Sequence, residues 1–184
     1  GMVLGGVERW SYSFAGTLNA LNIRSAYILP SFCERKTADS TIPAEFVEHR
    51  KGVEITDTME KILQSGAETV VCNFPFEIMA GACIIKKHIN PGLRVIAVLH
   101  NDEEIYYRAL KTWEPYIDVC LTISTRIKNA LWETGFPRRK TKELYWKIPC
   151  NKESRHSYSP AGCPLNIGYA GRISVRQNRA DLLL

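Results

Sequence analysis

The chain has 184 residues, of which 45% are apolar and 23% are charged, and its formal net charge is +5. This length suits one domain, or one domain and the start of another, and the composition argues against a disordered or fibrous protein. Because the positive charge is modest, it favours phosphate-bearing small molecules or anionic membrane surfaces over a long nucleic acid as partners.

Six cysteines are spread along the chain without the paired spacing of a zinc site. Three of them lie in apolar segments, as is typical of small core residues in a reducing compartment, namely Cys72, Cys83 and Cys120. No leader peptide is recognisable, and no apolar run approaches the roughly 18 residues that a bilayer span needs. We therefore expect a cytoplasmic protein, with peripheral contact at the inner face of the membrane as a further expectation.

The first predicted element is a helix over residues 7–21, because apolar residues recur there at spacings of three and four. The pair Gly5 and Gly6 precedes it, and such a pair leaves backbone N–H groups available to an anion. Taken alone, a glycine pair before a helix is more typical of a plain turn. The apolar run 25–29 predicts a buried strand, whereas residues 31–56 are mixed and polar and permit no assignment.

Three units of helix followed by strand come next. Their predicted helices cover 57–64, 75–89 and 105–113, and their predicted strands cover 69–72, 94–99 and 117–123. Ser124 is predicted to cap a further helix, whose Ile127 and Leu131 face inward and which Gly135 ends. This alternation, with several strands that are apolar on both faces, predicts an α/β fold with a Rossmann-like, doubly wound, mainly parallel sheet and helices on both faces.

The last part of the chain differs in composition. Residues 151–164 are polar with two prolines, as is typical of a linker, and 165–170 form a new apolar run before the start of another helix. We therefore expect 1–150 to form one domain, 151–164 a linker, and 165–184 the start of a second, truncated domain.

Polar residues follow the strand predicted over 94–99, beginning with His100. Ligands of doubly wound folds bind beyond the carboxyl ends of the strands, so His100 is a candidate for ligand contact. The structural alternative for this segment is a helix start, with Asn101 or Asp102 as its cap and Glu103 and Glu104 in its first turn. The chain contains no dinucleotide fingerprint, Walker loop, nucleophile elbow or metalloprotease motif, and its other histidines have no metal-ligand spacing.

A basic cluster comprises Arg138, Arg139, Lys140 and Lys142. It suits a membrane-borne or lipid-linked anionic partner, and a solvated basic loop is the simpler interpretation.

Five segments, in this order and spacing, resemble the group 1 family of nucleotide-sugar glycosyltransferases. They are GGVERW at 5–10, VIAVLHND at 95–102, IDVCLTIS at 117–124, KIPCN at 147–151 and IGYAGRISVRQNRADLLL at 167–184. Members of this family have the GT-B fold, in which two Rossmann-like domains face each other. The resemblance covers almost the whole chain, whereas the chain covers only half of the family's enzyme.

The resemblance implies a hexosyltransferase-type glycosyltransferase that acts in cell-surface polysaccharide or glycolipid synthesis. A sugar would pass from a nucleoside-diphosphate sugar to a hydroxyl of a carbohydrate or lipid-linked acceptor, with retention at the anomeric carbon. The family pattern implies that Gly5, Gly6 and Arg172 approach the donor diphosphate and that His100 borders the transferred sugar. It also implies that no metal and no other cofactor takes part.

The sequence departs from the family pattern at both of its ends. In the family a central strand precedes the glycine pair, where this sequence has only residues 1–4, and the donor-binding domain would continue beyond Leu184. We therefore expect a fragment with little or no transferase activity alone. The alternative is a non-catalytic Rossmann-like binding or interaction module. In it the first-strand position is filled by 165–170, within one molecule or in a strand-exchanged oligomer.

Overall fold

A computed structural model describes residues 6–30, 43–47, 54–73, 76–145 and 162–163. The chain divides into two compact units, Gly1–Lys147 and Ile148–Leu184, and of the second unit only Gly162 and Cys163 are described. Apart from these two residues, the predicted linker and second domain lie outside the described residues. The division into two domains with a linker at 151–164 therefore stays a prediction.

Helices and strands alternate along the first unit. Their bounds are α1 Gly6–Ala20, β1 Tyr27–Pro30, β2 Ala44–Val47, α2 Glu54–Ser65, β3 Thr69–Cys72, α3 Glu77–His88, β4 Arg94–Leu99, α4 Glu104–Trp113, β5 Val119–Thr122, α5 Thr125–Glu133 and β6 Thr141–Glu143. Two 3₁₀ turns, Glu114–Tyr116 and Arg138–Lys140, precede β5 and β6. This order confirms the three predicted units of helix and strand.

The described strands form two parallel sheets. One has four strands in the order β3-β4-β5-β6, and the other consists of β1 and β2. In the larger sheet Cys72 pairs with Ala97, and Leu99 pairs with Thr122, so the carboxyl ends of the strands share one edge. The fold is thus α/β, with a four-stranded parallel sheet flanked by helices, and it is compatible with a Rossmann-like arrangement.

The core lies between the larger sheet and its helices. β4 is buried at Val95 and from Ala97 to Leu99, which explains why its sequence is apolar without alternation. The large side chains that are almost fully buried around it include Ile62, Met79, Ile85, Leu93, Leu110, Ile117 and Leu131.

Two glycines end helices of this unit. Gly66 follows α2 with φ 64° and Gly135 follows α5 with φ 80°, in the left-handed region that favours glycine. At the start of α5, Ser124 Oγ accepts a hydrogen bond of 3.2 Å from Ile127 N, which confirms the predicted cap. Ile127 and Leu131 are buried, as predicted.

Three of the four residues of the basic cluster are exposed, namely Arg138, Arg139 and Lys142, but the segment is not a plain loop. Lys140 Nζ lies 2.8 Å from Glu114 Oε1, and the Arg138 guanidinium lies 4.6 Å from the centre of the Trp132 ring. The segment forms a 3₁₀ turn and β6, the outer strand beside β5. Two of the four cations in the cluster, Arg138 and Lys140, therefore contact other side chains of the fold. Over the described ranges, no helix combines the length and apolarity that crossing a bilayer requires.

Candidate functional site

Two of the four predicted site residues are described. His100 directly follows β4 and is half-buried, and Gly6 is the first residue of α1. Gly5 and Arg172 lie outside the described residues, so their proximity to a diphosphate stays a prediction.

His100 contacts α1 through an aromatic pair. The buried Trp10 ring meets the imidazole edge-on, with 5.4 Å between ring centres and an interplanar angle of 71°. Trp10 also stacks on Phe14, with 5.0 Å between ring centres. Because Trp10 lies on the second turn of α1, the start of this helix lies near the end of β4.

A chain of hydrogen bonds joins the same two elements. His100 Nε2 lies 3.2 Å from Oδ1 of Asn73, the residue that directly follows β3. Asn73 Nδ2 donates to Ser11 Oγ at 2.8 Å, and Ser11 Oγ donates to the Val7 carbonyl at 2.9 Å. Ser11 and Asn73 were not identified from the sequence, where the one signal was a polar residue directly after a strand.

Asp102 is not the helix cap that the sequence predicted. Glu103 occupies the N-cap position of α4, without a side-chain capping bond. Asp102 Oδ1 instead accepts a hydrogen bond of 2.6 Å from the Tyr107 hydroxyl, and Oδ2 lies 2.7 Å from Nε of the exposed Arg126. Burial, and then the hydrogen bond to Asp102, raise the pKa of Tyr107. Asp102 thus ties the segment after His100 to α4 and α5.

A second polar network lies at the end of β6. Glu143 accepts hydrogen bonds from Lys128, Thr125 and Tyr145, and the bond from Thr125 Oγ1 measures 2.6 Å. These donors, Lys128 foremost, lower the pKa of Glu143 to about 2. We call the polar residues at this edge of the sheet the carboxyl-end rim, namely Asn73, His100, Asp102, Arg126 and Glu143.

An open depression of about 380 Å³ lies at the opposite edge of the sheet, at the amino ends of β3 and β4. Its lining residues are Glu68, Thr69, Asn90, Gly92 and Arg94. Asn90 Oδ1 accepts a hydrogen bond of 3.1 Å from Gly92 N, so this side chain stabilises its own turn. Neither of the two predicted site residues that the structure describes, Gly6 and His100, is among these lining residues.

Among the residues that the structure describes, no group of three or more His, Cys, Asp or Glu side chains could hold a metal ion. The chemistry that the carboxyl-end rim provides is that of hydrogen bonding and charge. Comparison with known protein families, with curated proteins and with solved structures finds no match to this chain.

Proposed function

We propose that this chain is the acceptor-side domain of a nucleotide-sugar glycosyltransferase, and that the donor sugar binds at the carboxyl-end rim beside His100. The observation that supports this proposal is the contact between α1 and His100, through Trp10 and through Asn73 and Ser11. The helix after the glycine pair and the histidine after β4 are distant in sequence, and a ligand site formed by both requires them to be neighbours. The proposal includes a doubly wound, Rossmann-like domain of GT-B architecture.

In the proposed reaction, the bond between the anomeric carbon and the donor diphosphate breaks. A bond to the acceptor oxygen forms on the same face of the sugar, and the proton of the acceptor hydroxyl passes to the departing diphosphate. Backbone N–H groups at the start of α1, beside Gly5 and Gly6, stabilise the charge that builds on the departing diphosphate together with Arg172. His100 borders the sugar, and no metal takes part.

The acceptor in this proposal is a carbohydrate or a lipid-linked compound with a free hydroxyl. Arg139 and Lys142 are exposed, and they suit peripheral contact with an anionic membrane at the cytoplasmic face.

A titration monitored by NMR tests the proposed donor site. We expect UDP-glucose, UDP-N-acetylglucosamine or GDP-mannose to shift the amide signals of Ser11 and Asn73 and the ring signals of His100. His100→Ala should weaken this binding at least about tenfold, since it removes a polar contact with a charged or hydroxyl-bearing ligand. His88→Ala is the matched control, because His88 is exposed on the last turn of α3. If none of the three compounds binds, or if both variants bind equally well, the proposal is wrong.

A second candidate function is an interaction module that adds a strand at the outer edge of β3. Among the described strands, β3 pairs on one side only, with β4. Glu68 directly precedes β3, and its carbonyl oxygen faces β4, because it accepts a hydrogen bond of 2.9 Å from Arg94 N. Because backbone groups alternate along a strand, those of Thr69 and Val71 point away from β4.

The composition of the two outer strands of the larger sheet favours β3 as the edge that pairs. β3 carries no charged residue, whereas β6 carries Lys142 and Glu143. Edge strands of soluble proteins are normally protected by charge, proline or bulges. An uncharged edge such as β3 therefore suits a strand-exchanged dimer of this chain.

Light scattering coupled to gel filtration tests the second candidate. If the chain forms the exchanged dimer, its measured mass should rise with concentration to that of two chains. Val71→Pro should give a monomer, because proline removes an N–H that points away from β4 and leaves the ladder to β4 intact. Val71→Thr is the matched control and should remain dimeric, since it keeps the N–H. A wild-type chain that is monomeric at every concentration excludes this candidate.

A further inference from the structure

The hydrogen bonds around Ser11 can each be formed in only one direction. Ser11 Oγ lies 2.9 Å from the Val7 carbonyl oxygen, and a carbonyl oxygen cannot donate. Ser11 therefore donates its single hydroxyl hydrogen to the Val7 carbonyl. In the other contact, with Asn73 at 2.8 Å, Ser11 Oγ must accept.

This constraint determines the orientation of the Asn73 amide. The group that donates to Ser11 must be the NH₂ of the amide, so the carbonyl oxygen Oδ1 faces His100. Oδ1 has no hydrogen to give, and His100 Nε2 lies 3.2 Å from it. Nε2 must then carry a hydrogen, whether the imidazole is neutral or protonated.

We propose that Ser11 and Asn73 are positioning residues that hold neutral His100 in the Nε2–H tautomer. In that tautomer Nδ1 carries the lone pair of the ring, so a ligand hydroxyl that contacts Nδ1 acts as the hydrogen-bond donor. Val7 lies on the first turn of α1, so the orientation of the imidazole is also coupled to the start of this helix.

The tautomer follows from the hydrogen bonds alone, whereas its use toward a bound sugar rests on the proposed function. For that function, the site recognises a sugar hydroxyl as a donor to Nδ1 and not as an acceptor. A deoxy sugar that lacks this hydroxyl should therefore bind more weakly, by about fivefold for one neutral hydrogen bond.

Long-range ¹H–¹⁵N NMR of the histidine rings in the free, full-length chain tests the proposal directly. The His100 signals are identified by their loss in His100→Ala. At a pH where the ring is neutral, we expect Nε2 at the chemical shift of a protonated nitrogen and Nδ1 at that of an unprotonated one. An Nε2–H hydrogen in slow exchange with water, with a nuclear Overhauser effect to the Asn73 side chain, is the accompanying signature. A ring that is protonated at Nδ1 instead overturns the proposal.

Variants of Ser11 distinguish a residue that orients the His100 ring from one that only packs near it. Ser11→Ala removes the acceptor that orients Asn73, so the ring should become a mixture of tautomers and its Nε2–H should exchange about fivefold faster. Ser11→Thr keeps the hydroxyl and should retain the wild-type signature. Ser13→Ala, at an exposed position of the same helix, is the matched control. If Ser11→Ala and Ser13→Ala give the same ring spectrum, Ser11 does not position His100. If NMR shows the Nε2–H tautomer but no nucleotide sugar binds, the proposed function is contradicted and the positioning role of Ser11 and Asn73 is not.

Discussion

Gly81 of α3 packs against α2, and replacing it with alanine tests how tightly these helices pack. A Cβ at this position would lie 3.1 Å from Thr58 Cγ2 and 3.3 Å from Met59 Cγ. Thr58 is fully buried, so its methyl group has little room to move. Alanine gains about 1 kcal/mol over glycine in a helix interior, and overpacking costs about 1–3 kcal/mol. We therefore expect Gly81→Ala to lower the free energy of unfolding by about 1 kcal/mol.

Urea denaturation of four variants measures this effect and isolates its cause. Gly16→Ala is the matched control, because Gly16 is an exposed position of α1 with no atom within 4 Å of an added Cβ. It should raise the free energy of unfolding by up to about 1 kcal/mol. Thr58→Ser removes Cγ2, and in that background Gly81→Ala should become neutral or stabilising. If Gly81→Ala stabilises the wild-type chain as much as Gly16→Ala does, the packing of α3 against α2 leaves room for the added methyl group and the prediction is wrong.

Three further predictions concern charges and thiols. Lys128 and two hydroxyl donors lower the pKa of Glu143 from its ordinary 4.5 to about 2. The stability advantage of wild type over Glu143→Gln should therefore be complete above pH 4.5 and vanish as the pH falls to about 2, measured by urea denaturation across pH. Asp118 Oδ2 accepts a hydrogen bond of 2.7 Å from Val95 N. Asp118→Ala should cost about 1–3 kcal/mol of unfolding free energy and Asp118→Asn less, because asparagine keeps an acceptor. In the native protein, iodoacetamide should modify the exposed Cys163, as followed by mass spectrometry. It should spare the buried thiols of Cys72, Cys83 and Cys120 until the chain unfolds.

Much of the larger sheet could be predicted from local pattern. The runs at Thr69–Cys72 and Arg94–Leu99 match their predicted strands residue for residue, because each is a short, mainly apolar run rich in β-branched residues. β6 was missed because it is short and carries charged residues at the outer edge of the sheet. β2 was missed because its four residues lie within a mixed polar stretch without periodicity.

The candidate site was only partly predictable. His100 could be identified because its place after a buried strand is visible in the sequence. Ser11 and Asn73 could not, since their hydrogen bond depends on how α1 packs against the sheet. The capping role assigned to Asp102 was wrong for the same reason. A carboxylate near a helix start is a common cap, but here Tyr107 and Arg126 bind it from α4 and α5.

A crystal structure of the chain grown with a nucleoside-diphosphate sugar tests the central claim most directly. We expect the sugar at the carboxyl-end rim, with one of its hydroxyls within hydrogen-bond distance of the His100 imidazole and the diphosphate near the first turn of α1. A nucleotide sugar bound instead in the depression between Glu68 and Arg94, at the opposite edge of the sheet, would contradict it.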